Sequence, residues 1–312
     1  MGLAGVAFIF PGQGSQAVGM AADLHEHFAE VRELFATADD VLGFQLSRIV
    51  LEGPEAELRR TANTQPAIVL ASIAAYRVLG LEPAVVAGHS LGEYAAAVAA
   101  GALDFRDAIA LVHRRGRYMQ EAVPEGQGAM FALLGAELPA VERALASVGE
   151  GVVDIANLNA PGQIVIAGDR AAVRAAAAAA GAKAIELPVS APFHCRLMQP
   201  AAARLLPDLC AVTFRDLRVP LYNNVDARKI CSGADARDGL ARQVSRTVRW
   251  HELMTRMIAA EGIHAVVEVG PGNVLTGLAR RIDRNLKRFN VHDRASAAAA
   301  RAALTGGAGA SG

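Results

Sequence analysis

The segment covering residues 84–97 constrains the possible fold more than any other part of the chain. An apolar run at 84–87 leads into Gly88-His89-Ser90-Leu91-Gly92, and a helical stretch at 93–97 follows directly. Glycines at both ends of the pentapeptide allow a sharp backbone turn and a close approach of strand to helix. The segment therefore predicts a buried strand, a tight turn that raises the Ser90 hydroxyl above a sheet, and a helix.

Short apolar runs followed by helical stretches recur along the chain. Residues 6–10 and 265–269 show this pattern, which predicts an α/β core whose parallel sheet is covered by helices. Residues 126–190 differ, because their pattern is strand, helix, strand, strand, helix, strand, the ferredoxin-like order. We expect a core made of 1–125 and 191–295, an inserted ferredoxin-like domain at 126–190, and an Ala/Gly-rich flexible tail at 296–312.

The composition excludes several classes of protein. Hydrophobic residues make up 53% of the 312 residues, enough for a core that needs no metal or disulfide. Lys plus Arg and Asp plus Glu both number 31, so no overall charge attracts nucleic acid or an anionic membrane. The three cysteines are too few and too widely spaced for a disulfide framework or a zinc site. Since residues 1–10 also lack the cationic start of a signal peptide, we expect a soluble cytoplasmic protein.

Ser90 is the candidate nucleophile of the predicted turn. A strand before it and a helix after it are the context in which a Gly-x-Ser-x-Gly segment exposes a reactive serine. The start of the helix also directs N–H groups at developing negative charge. The alternative is a serine that only caps the helix, but the complete strand-turn-helix context favours the nucleophile.

A serine nucleophile needs a base, and His194 is the leading candidate among the eight histidines. It lies in an irregular segment, 190–194, just after the predicted insertion, where a side chain can reach across a cleft. The ring of His89 is expected to point away from Ser90, and His113 lies within a predicted helix. The others are expected on polar or helical surfaces: His25, His27, His251, His264 and His292. No acidic residue between Ser90 and His194 stands at a convincing strand end, so a backbone carbonyl is a plausible partner for the imidazole.

When a serine nucleophile attacks an acyl carbonyl, the oxyanion that forms also needs hydrogen-bond donors. The N–H of Leu91 follows the nucleophile and is one donor by the geometry of such a turn. The loop 11–16 follows the first predicted strand, and its glycines allow close backbone approach, so the Gln13 N–H is the second candidate. A phosphate-binding loop is the alternative, but the segment lacks the Gly-Lys-Ser/Thr ending that such a loop requires.

Arg115 is the candidate for binding a substrate anion. It lies on the flank of the apolar face of a predicted helix, 104–122, whereas Arg114 and Arg117 project away from that face. A half-buried guanidinium needs an anionic partner. From the pattern alone, a substrate carboxylate and a structural ion pair are equally good interpretations.

These residues fall in segments that resemble the malonyl-CoA:acyl carrier protein transacylases of bacterial fatty acid synthesis. The segments occur in the family's order across essentially the whole chain except the tail. They are Phe10-Pro-Gly-Gln-Gly-Ser-Gln16, Thr64-Gln65-Pro66-Ala67, Gly88-His-Ser-Leu-Gly-Glu-Tyr94, Arg115-Gly116, Met119-Gln-Glu-Ala-Val-Pro124, Asn157-Leu-Asn-Ala-Pro-Gly-Gln163, Pro192-Phe-His194 and Glu268-Val-Gly-Pro-Gly272. The resemblance implies a hydrolase-like α/β core with a ferredoxin-like insertion.

The resemblance also implies a role for each candidate residue. Ser90 would take malonyl from malonyl-CoA and pass it to the phosphopantetheine thiol of acyl carrier protein, with His194 as base and then acid. The N–H groups of Gln13 and Leu91 would hold the oxyanion, and Arg115 would bind the malonyl carboxylate. No bound cofactor or metal is implied.

Three further residues take roles from the same resemblance. The main-chain carbonyl of Gln243 would orient His194, which agrees with the absence of a convincing acid. Phe193 and Asn159 would belong to the substrate pocket. Relatives that accept methylmalonyl tend to carry serine before the catalytic histidine, so Phe193 points to malonyl.

Two alternative functions remain at this stage. One is a serine esterase or thioesterase with the same nucleophile turn, although a hydrolase of neutral esters has no use for Arg115. The other is a malonyl acyltransferase that serves a polyketide or malonate-metabolising complex. Carrier proteins of this class are acidic, so a chain without net charge needs a local basic face. The candidate basic surface is Arg280, Arg281, Arg284, Lys287 and Arg288; a second cluster is Arg242, Arg246 and Arg249, and an ordinary solvated helix face is the alternative for both.

Overall fold

The computed structural model describes residues 2–306. The strands in this part of the chain are β1 (Leu3–Phe10), β2 (Pro83–Gly88), β3 (Gly128–Leu134), β4 (Val153–Ala160), β5 (Gln163–Asp169), β6 (Lys183–Glu186), β7 (Leu221–Tyr222), β8 (Lys229–Ile230), β9 (Ala265–Val269) and β10 (Lys287–Val291). The helices are α1 (Ala22–His27), α2 (Ala29–Leu42), α3 (Leu46–Glu52), α4 (Glu55–Leu58), α5 (Thr61–Leu79), α6 (Gly92–Ala99), α7 (Phe105–Glu121), α8 (Leu138–Ala146), α9 (Arg170–Ala179), α10 (Gln199–Ala211), α11 (Gly233–Gln243), α12 (Trp250–Glu261), α13 (Val274–Ile282) and α14 (Arg294–Thr305), with a 3-10 turn at Arg196–Met198.

The core sheet has the strand order β10-β9-β1-β2-β7-β8. All neighbouring pairs are parallel except β7 and the edge strand β8. The apolar runs of β1 and β9 are buried, as expected for parallel strands covered on both faces. The predicted α/β core with a parallel sheet is thereby confirmed. Because β1 and β2 end in register at Phe10 and Gly88, the loops that follow them lie side by side.

Helix α5 is the central helix of one layer that covers the sheet. It is buried on nearly all sides, as a helix with few charges should be. Helix α7 packs against it closely at Gly116, where a Cβ would lie 2.6 Å from the Thr61 carbonyl oxygen. This close approach brings Arg115, the residue before Gly116, into the interior. Within residues 2–306, no helix is both long enough and apolar enough to cross a lipid bilayer.

The predicted insertion forms a second sheet with the order β4-β5-β3-β6, in which every neighbouring pair is antiparallel. Its elements follow the predicted order of strand, helix, strand, strand, helix, strand from Gly128 to Glu186. Helices α8 and α9 pack on it around a core of its own that includes Leu133, Ile166 and Val173. Backbone hydrogen bonds link β4 to the core at Val248, whose N–H donates to the Ala156 carbonyl over 2.9 Å.

The flexible tail expected at 296–312 needs correction over the part that the structure describes. Helix α14 runs to Thr305 and begins with a capping box between Asp293 and Ser296. Ala297 and Ala300 are buried against the core, and the Arg301 guanidinium donates to main-chain carbonyls at the end of α5. An alanine stripe therefore has a surface to pack against here. Residues 307–312 of the expected tail lie outside the described residues.

Candidate active site

Ser90 lies in a left-handed backbone conformation, with a φ of +52°, directly after β2. A Cβ at Gly88 would collide with the backbone of Gly92, and a Cβ at Gly92 would collide with the Phe10 carbonyl. Both glycines are therefore required where β1, β2 and α6 meet. The Ser90 N–H donates to the Asn224 side chain over 2.7 Å, so the strained turn is held from outside.

The side chains of Ser90 and His194 form a hydrogen-bonded pair. The Ser90 Oγ lies 2.6 Å from Nε2 of His194, although the residues are 104 positions apart in the chain. On the other side of the ring, Nδ1 lies 2.9 Å from the Gln243 carbonyl oxygen. A carbonyl only accepts, so Nδ1 carries the hydrogen and Nε2 is free to accept the serine proton. Burial and the Arg115 cation lower the pKa of His194 to about 3, so the ring is neutral near pH 7.

Two backbone N–H groups border the same space. Gln13 lies in the loop after β1, and Leu91 precedes α6; both line a cavity in front of Ser90. The loop approaches the nucleophile turn closely, since a Cβ at Gly12 would lie 2.6 Å from the His89 carbonyl oxygen. Among residues 2–306, neither the Gln13 nor the Leu91 N–H has a hydrogen-bond acceptor. Both are thus free to donate to a bound group.

Arg115 is almost completely buried, with 1% of its surface exposed. One terminal nitrogen, Nη1, donates to Gln65 Oε1 over 2.8 Å. The other, Nη2, donates to Gln243 Oε1 over 2.9 Å and to Ser90 Oγ over 3.2 Å. No acidic side chain in the described part of the chain forms a salt bridge with it, and its Nε has no acceptor. The structural ion pair considered from the sequence is therefore not present in residues 2–306.

The cavity in front of Ser90 has a volume of about 520 Å³ and lies between the core and the insertion. Met130, Val165 and Asn159 line it from the insertion, and Phe193 lines it from the segment that returns to the core. The Asn159 side chain lies 2.8 Å from Nε2 of His89, so that ring contacts the insertion. Phe193 and Asn159 thus lie where a substrate pocket needs its walls.

Several polar residues of the site were not singled out from the sequence. Glu93 is buried in the first turn of α6, and burial raises the pKa of its carboxyl to about 7. Gln65 on α5 and Asn224 after β7 hold Arg115 and the Ser90 backbone, respectively. An acidic residue on the apolar side of the helix after the nucleophile was the available signal for Glu93.

Cys195 adjoins His194 in the chain but does not line the cavity in front of Ser90. It is buried, its thiol donates to the Pro192 carbonyl, and burial raises its pKa to about 12. A thiol that remains protonated is a poor nucleophile. In the described range, no three side chains of His, Cys, Asp or Glu are grouped as a metal ion would require.

Comparison with known proteins agrees with this fold. The acyl transferase domain model matches residues 7–302, and the chain belongs to that family. It is 48% identical to the malonyl CoA-acyl carrier protein transacylase of Escherichia coli K12 over 94% of this chain and 98% of the relative. The relative of the same name from Bacillus subtilis 168 is 45% identical over 92% and 93%. The resemblance noted from the sequence is thereby confirmed.

Solved structures give the same result. An acyl carrier protein S-malonyltransferase from Vibrio cholerae superposes with a TM-score of 0.92 at 48% identity, over 95% of this chain and 100% of that one. A malonyl-transacylase solved in complex with a holo type II PKS acyl-carrier protein gives a TM-score of 0.92 at 46% identity, over 95% and 99%. The likeness therefore covers both the core and the insertion.

Proposed function

We propose that this protein transfers the malonyl group from malonyl-CoA to the phosphopantetheine thiol of an acyl carrier protein in fatty acid synthesis. The observation that carries the proposal is Arg115, a buried cation without a carboxylate partner in residues 2–306, 3.2 Å from the Ser90 hydroxyl. Malonyl differs from acetyl only by its carboxylate, and a guanidinium is the side chain best suited to bind that group. The names of the relatives support the same substrate.

The first half-reaction acylates Ser90. Its Oγ attacks the thioester carbonyl of malonyl-CoA while His194 Nε2 takes the hydroxyl proton. The Gln13 and Leu91 N–H groups donate to the oxyanion, and the Gln243 carbonyl stabilises the imidazolium through Nδ1–H. The tetrahedral intermediate then expels the coenzyme A sulfur, which receives the proton from His194. Malonyl remains as an ester on Ser90, with its carboxylate on Arg115.

The second half-reaction reverses these steps with a different thiol. The phosphopantetheine thiol of the carrier gives its proton to His194 and attacks the ester carbonyl. The same two N–H groups stabilise the oxyanion, and the Ser90 oxygen leaves with the proton from His194. One pair of side chains thus serves both steps, and the mechanism requires no metal or bound cofactor.

We place the carrier on the basic surface formed by Arg280, Arg281, Arg284, Lys287 and Arg288. Arg280, Arg284 and Lys287 are exposed and form no salt bridge within residues 2–306. In the second cluster, by contrast, Arg242 and Arg249 are paired with carboxylates. The first cluster begins in the last turn of α13, and the first residue of that helix, Val274, lines the cavity. An acidic carrier bound there would have its prosthetic arm near the site.

A polyketide carrier is the second candidate for the acceptor. The observation that favours it is the 46% identity to a transacylase that was solved with a type II PKS acyl-carrier protein. The chemistry at Ser90 is the same for either carrier. We also propose the domain division into 1–125 with 191–295 and an insertion at 126–190, and a cytoplasmic location that suits three unpaired cysteines.

The test is to mix the protein with malonyl-CoA alone and measure its intact mass. We expect one malonyl group, located on Ser90 by peptide mapping, and its discharge on addition of holo acyl carrier protein. Ser90→Ala should remain unlabelled. Turnover by Ser90→Ala, or label on Cys195, would contradict the proposal. Rapid release of free malonate without a carrier would instead identify a thioesterase.

A further inference from the structure

Glu93 is a buried carboxylate that the acyl-transfer mechanism does not use. It lies in the first turn of α6, three residues after the nucleophile, and is 1% exposed. Its Oε2 accepts a hydrogen bond from Gln243 Nε2 over 2.7 Å and one from the Asn224 N–H over 3.2 Å. A charged group is seldom buried without a purpose, because burial in the interior costs several kcal/mol.

The Gln243 side chain connects this carboxylate to the rest of the site. Its Nε2 donates to Glu93 and to the Ser90 carbonyl over 2.8 Å, while its Oε1 accepts from Arg115 Nη2 over 2.9 Å. If the amide were flipped, its NH₂ would face the guanidinium and its oxygen would face the carboxylate. With Glu93 ionised, both contacts would then be repulsive, so Glu93 and Arg115 together define one orientation of the amide.

The orientation of this amide matters for Arg115. Because Arg115 has no carboxylate partner in the described chain, its position depends on the neutral oxygens of Gln65 and Gln243 and on Ser90. A rotated Gln243 amide would remove one acceptor and put a donor in its place. The guanidinium would then move away from the place where a substrate carboxylate must meet it. The main-chain carbonyl of Gln243, which holds His194, does not depend on the side-chain rotation.

We propose that Glu93 is a positioning residue, which orients the Gln243 amide and through it holds the Arg115 guanidinium for the malonyl carboxylate. The inference rests on the proposed malonyl transfer and adds a determinant of its specificity. Both hydrogen bonds end on Oε2, which accepts them when the carboxyl is ionised and also when a proton is carried on Oε1. The burial that raises the pKa of Glu93 to about 7 is therefore compatible with the role, and a neutral glutamine should fulfil it.

The experiment compares Glu93→Ala with Glu93→Gln, and measures kcat/KM for malonyl-CoA and for acetyl-CoA with the same carrier. Loss of a group that orients a metal ligand costs about 10- to 100-fold in activity, and we expect the same range for a group that orients Arg115. We expect that loss for malonyl in Glu93→Ala and a much smaller loss for acetyl, so the malonyl-to-acetyl ratio falls. Glu93→Gln should restore most of the ratio, because its Oε1 can accept the same bonds. A purely structural residue would lower both activities together.

Gln243→Met provides a second arm if Glu93→Ala does not fold. It keeps the main-chain carbonyl for His194 and removes only the amide, so the ratio should fall as in Glu93→Ala. A matched control is Glu268→Ala, which removes another buried glutamate that accepts from the N–H groups of Leu275 and Thr276. It should lower stability and leave the ratio unchanged.

The outcomes separate this inference from the proposed function. If the wild-type protein does not transfer malonyl, the proposed function itself is wrong. If the wild type transfers malonyl but Glu93→Ala or Gln243→Met keeps the wild-type ratio, only the positioning role is overturned. A ratio that falls equally in Glu93→Ala and Glu93→Gln would also overturn it, because orientation by an acceptor would then not be the cause.

Discussion

Arg115→Ala should convert a malonyl-selective enzyme into one with little preference for malonyl over acetyl. The guanidinium is 1% exposed, and its Nη2 is within hydrogen-bond distance of the nucleophile. A malonyl carboxylate that enters this site would replace the neutral acceptors as the main partner of the cation. Without the guanidinium, the carboxylate would lose the buried cation that lies beside Ser90.

The size of the effect follows from the bonds that are lost. A hydrogen bond to a charged group contributes about 1.5–3 kcal/mol, so two such bonds to the carboxylate amount to roughly 3–6 kcal/mol. This corresponds to a loss of about 10²- to 10⁴-fold in kcat/KM for malonyl. Acetyl has no carboxylate, and the variant removes only the 3.2 Å contact of Arg115 with the Ser90 hydroxyl from its reaction. We expect a loss of about tenfold or less for acetyl.

The assay measures acylation of a holo carrier at several concentrations of malonyl-CoA or acetyl-CoA. Arg114→Ala is the matched control, because Arg114 lies on the same helix but is half exposed and paired with Asp208. It should leave both values of kcat/KM close to those of the wild type. An equal loss for the two acyl groups in a folded Arg115→Ala variant would show that Arg115 supports the site without recognising the carboxylate.

The remaining predictions concern pH, the carrier and the C-terminal helix. The lowered pKa of His194, about 3, means that the unfolded chain binds a proton near pH 5 and the native chain does not, so stability falls with acidity by up to about 1.4 kcal/mol per pH unit. Denaturant unfolding between pH 4 and 7 should show that the free energy of unfolding falls less steeply with acidity in His194→Asn than in the wild type. Parallel curves would refute the lowered pKa of His194. Charge reversal at Arg284 or Lys287 should raise KM for the carrier and leave loading from malonyl-CoA intact. An unchanged KM would mean that these residues form an ordinary solvated face and do not bind the carrier. Arg301→Ala should lower the free energy of unfolding by about 1–3 kcal/mol in the same measurement, with transfer unaffected; an unchanged value would mean that α14 contributes little.

The features that the sequence predicted well depend on local pattern. The glycines at positions 88 and 92 and the apolar run before them lie within one short segment, so a strand, a turn and a helix could be inferred from it. The insertion was predictable for a similar reason, because its strands and helices are consecutive in the chain and the spacing of apolar residues differs between strand and helix. His194 could not be placed by local pattern alone, since it lies 104 positions from Ser90 and its distance to Ser90 depends on how the chain between them folds.

The features that were missed depend on contacts between distant segments. Asn224 meets the Ser90 backbone across 134 positions, and Glu93 meets Gln243 across 150. The apolar surroundings of Glu93 in α6 indicated burial, but the local sequence could not identify the partner that makes its burial possible. Helix α14 was missed because alanine offers little apolar area, although Asp293 and Ser296 carried the signal of a helix start.

The order of strands in the two sheets has a consequence for the synthesis of the chain. The insertion draws all its strands from residues 128–186, so its sheet can be completed as soon as that stretch has left the ribosome. The core sheet cannot, because β1 at its centre pairs on one side with β9, which is made near the end. Until Gln243 has also emerged, the His194 ring lacks the carbonyl that orients it. A chain terminated between residues 186 and 243 would therefore keep the insertion's strands together but would not acquire a reactive serine.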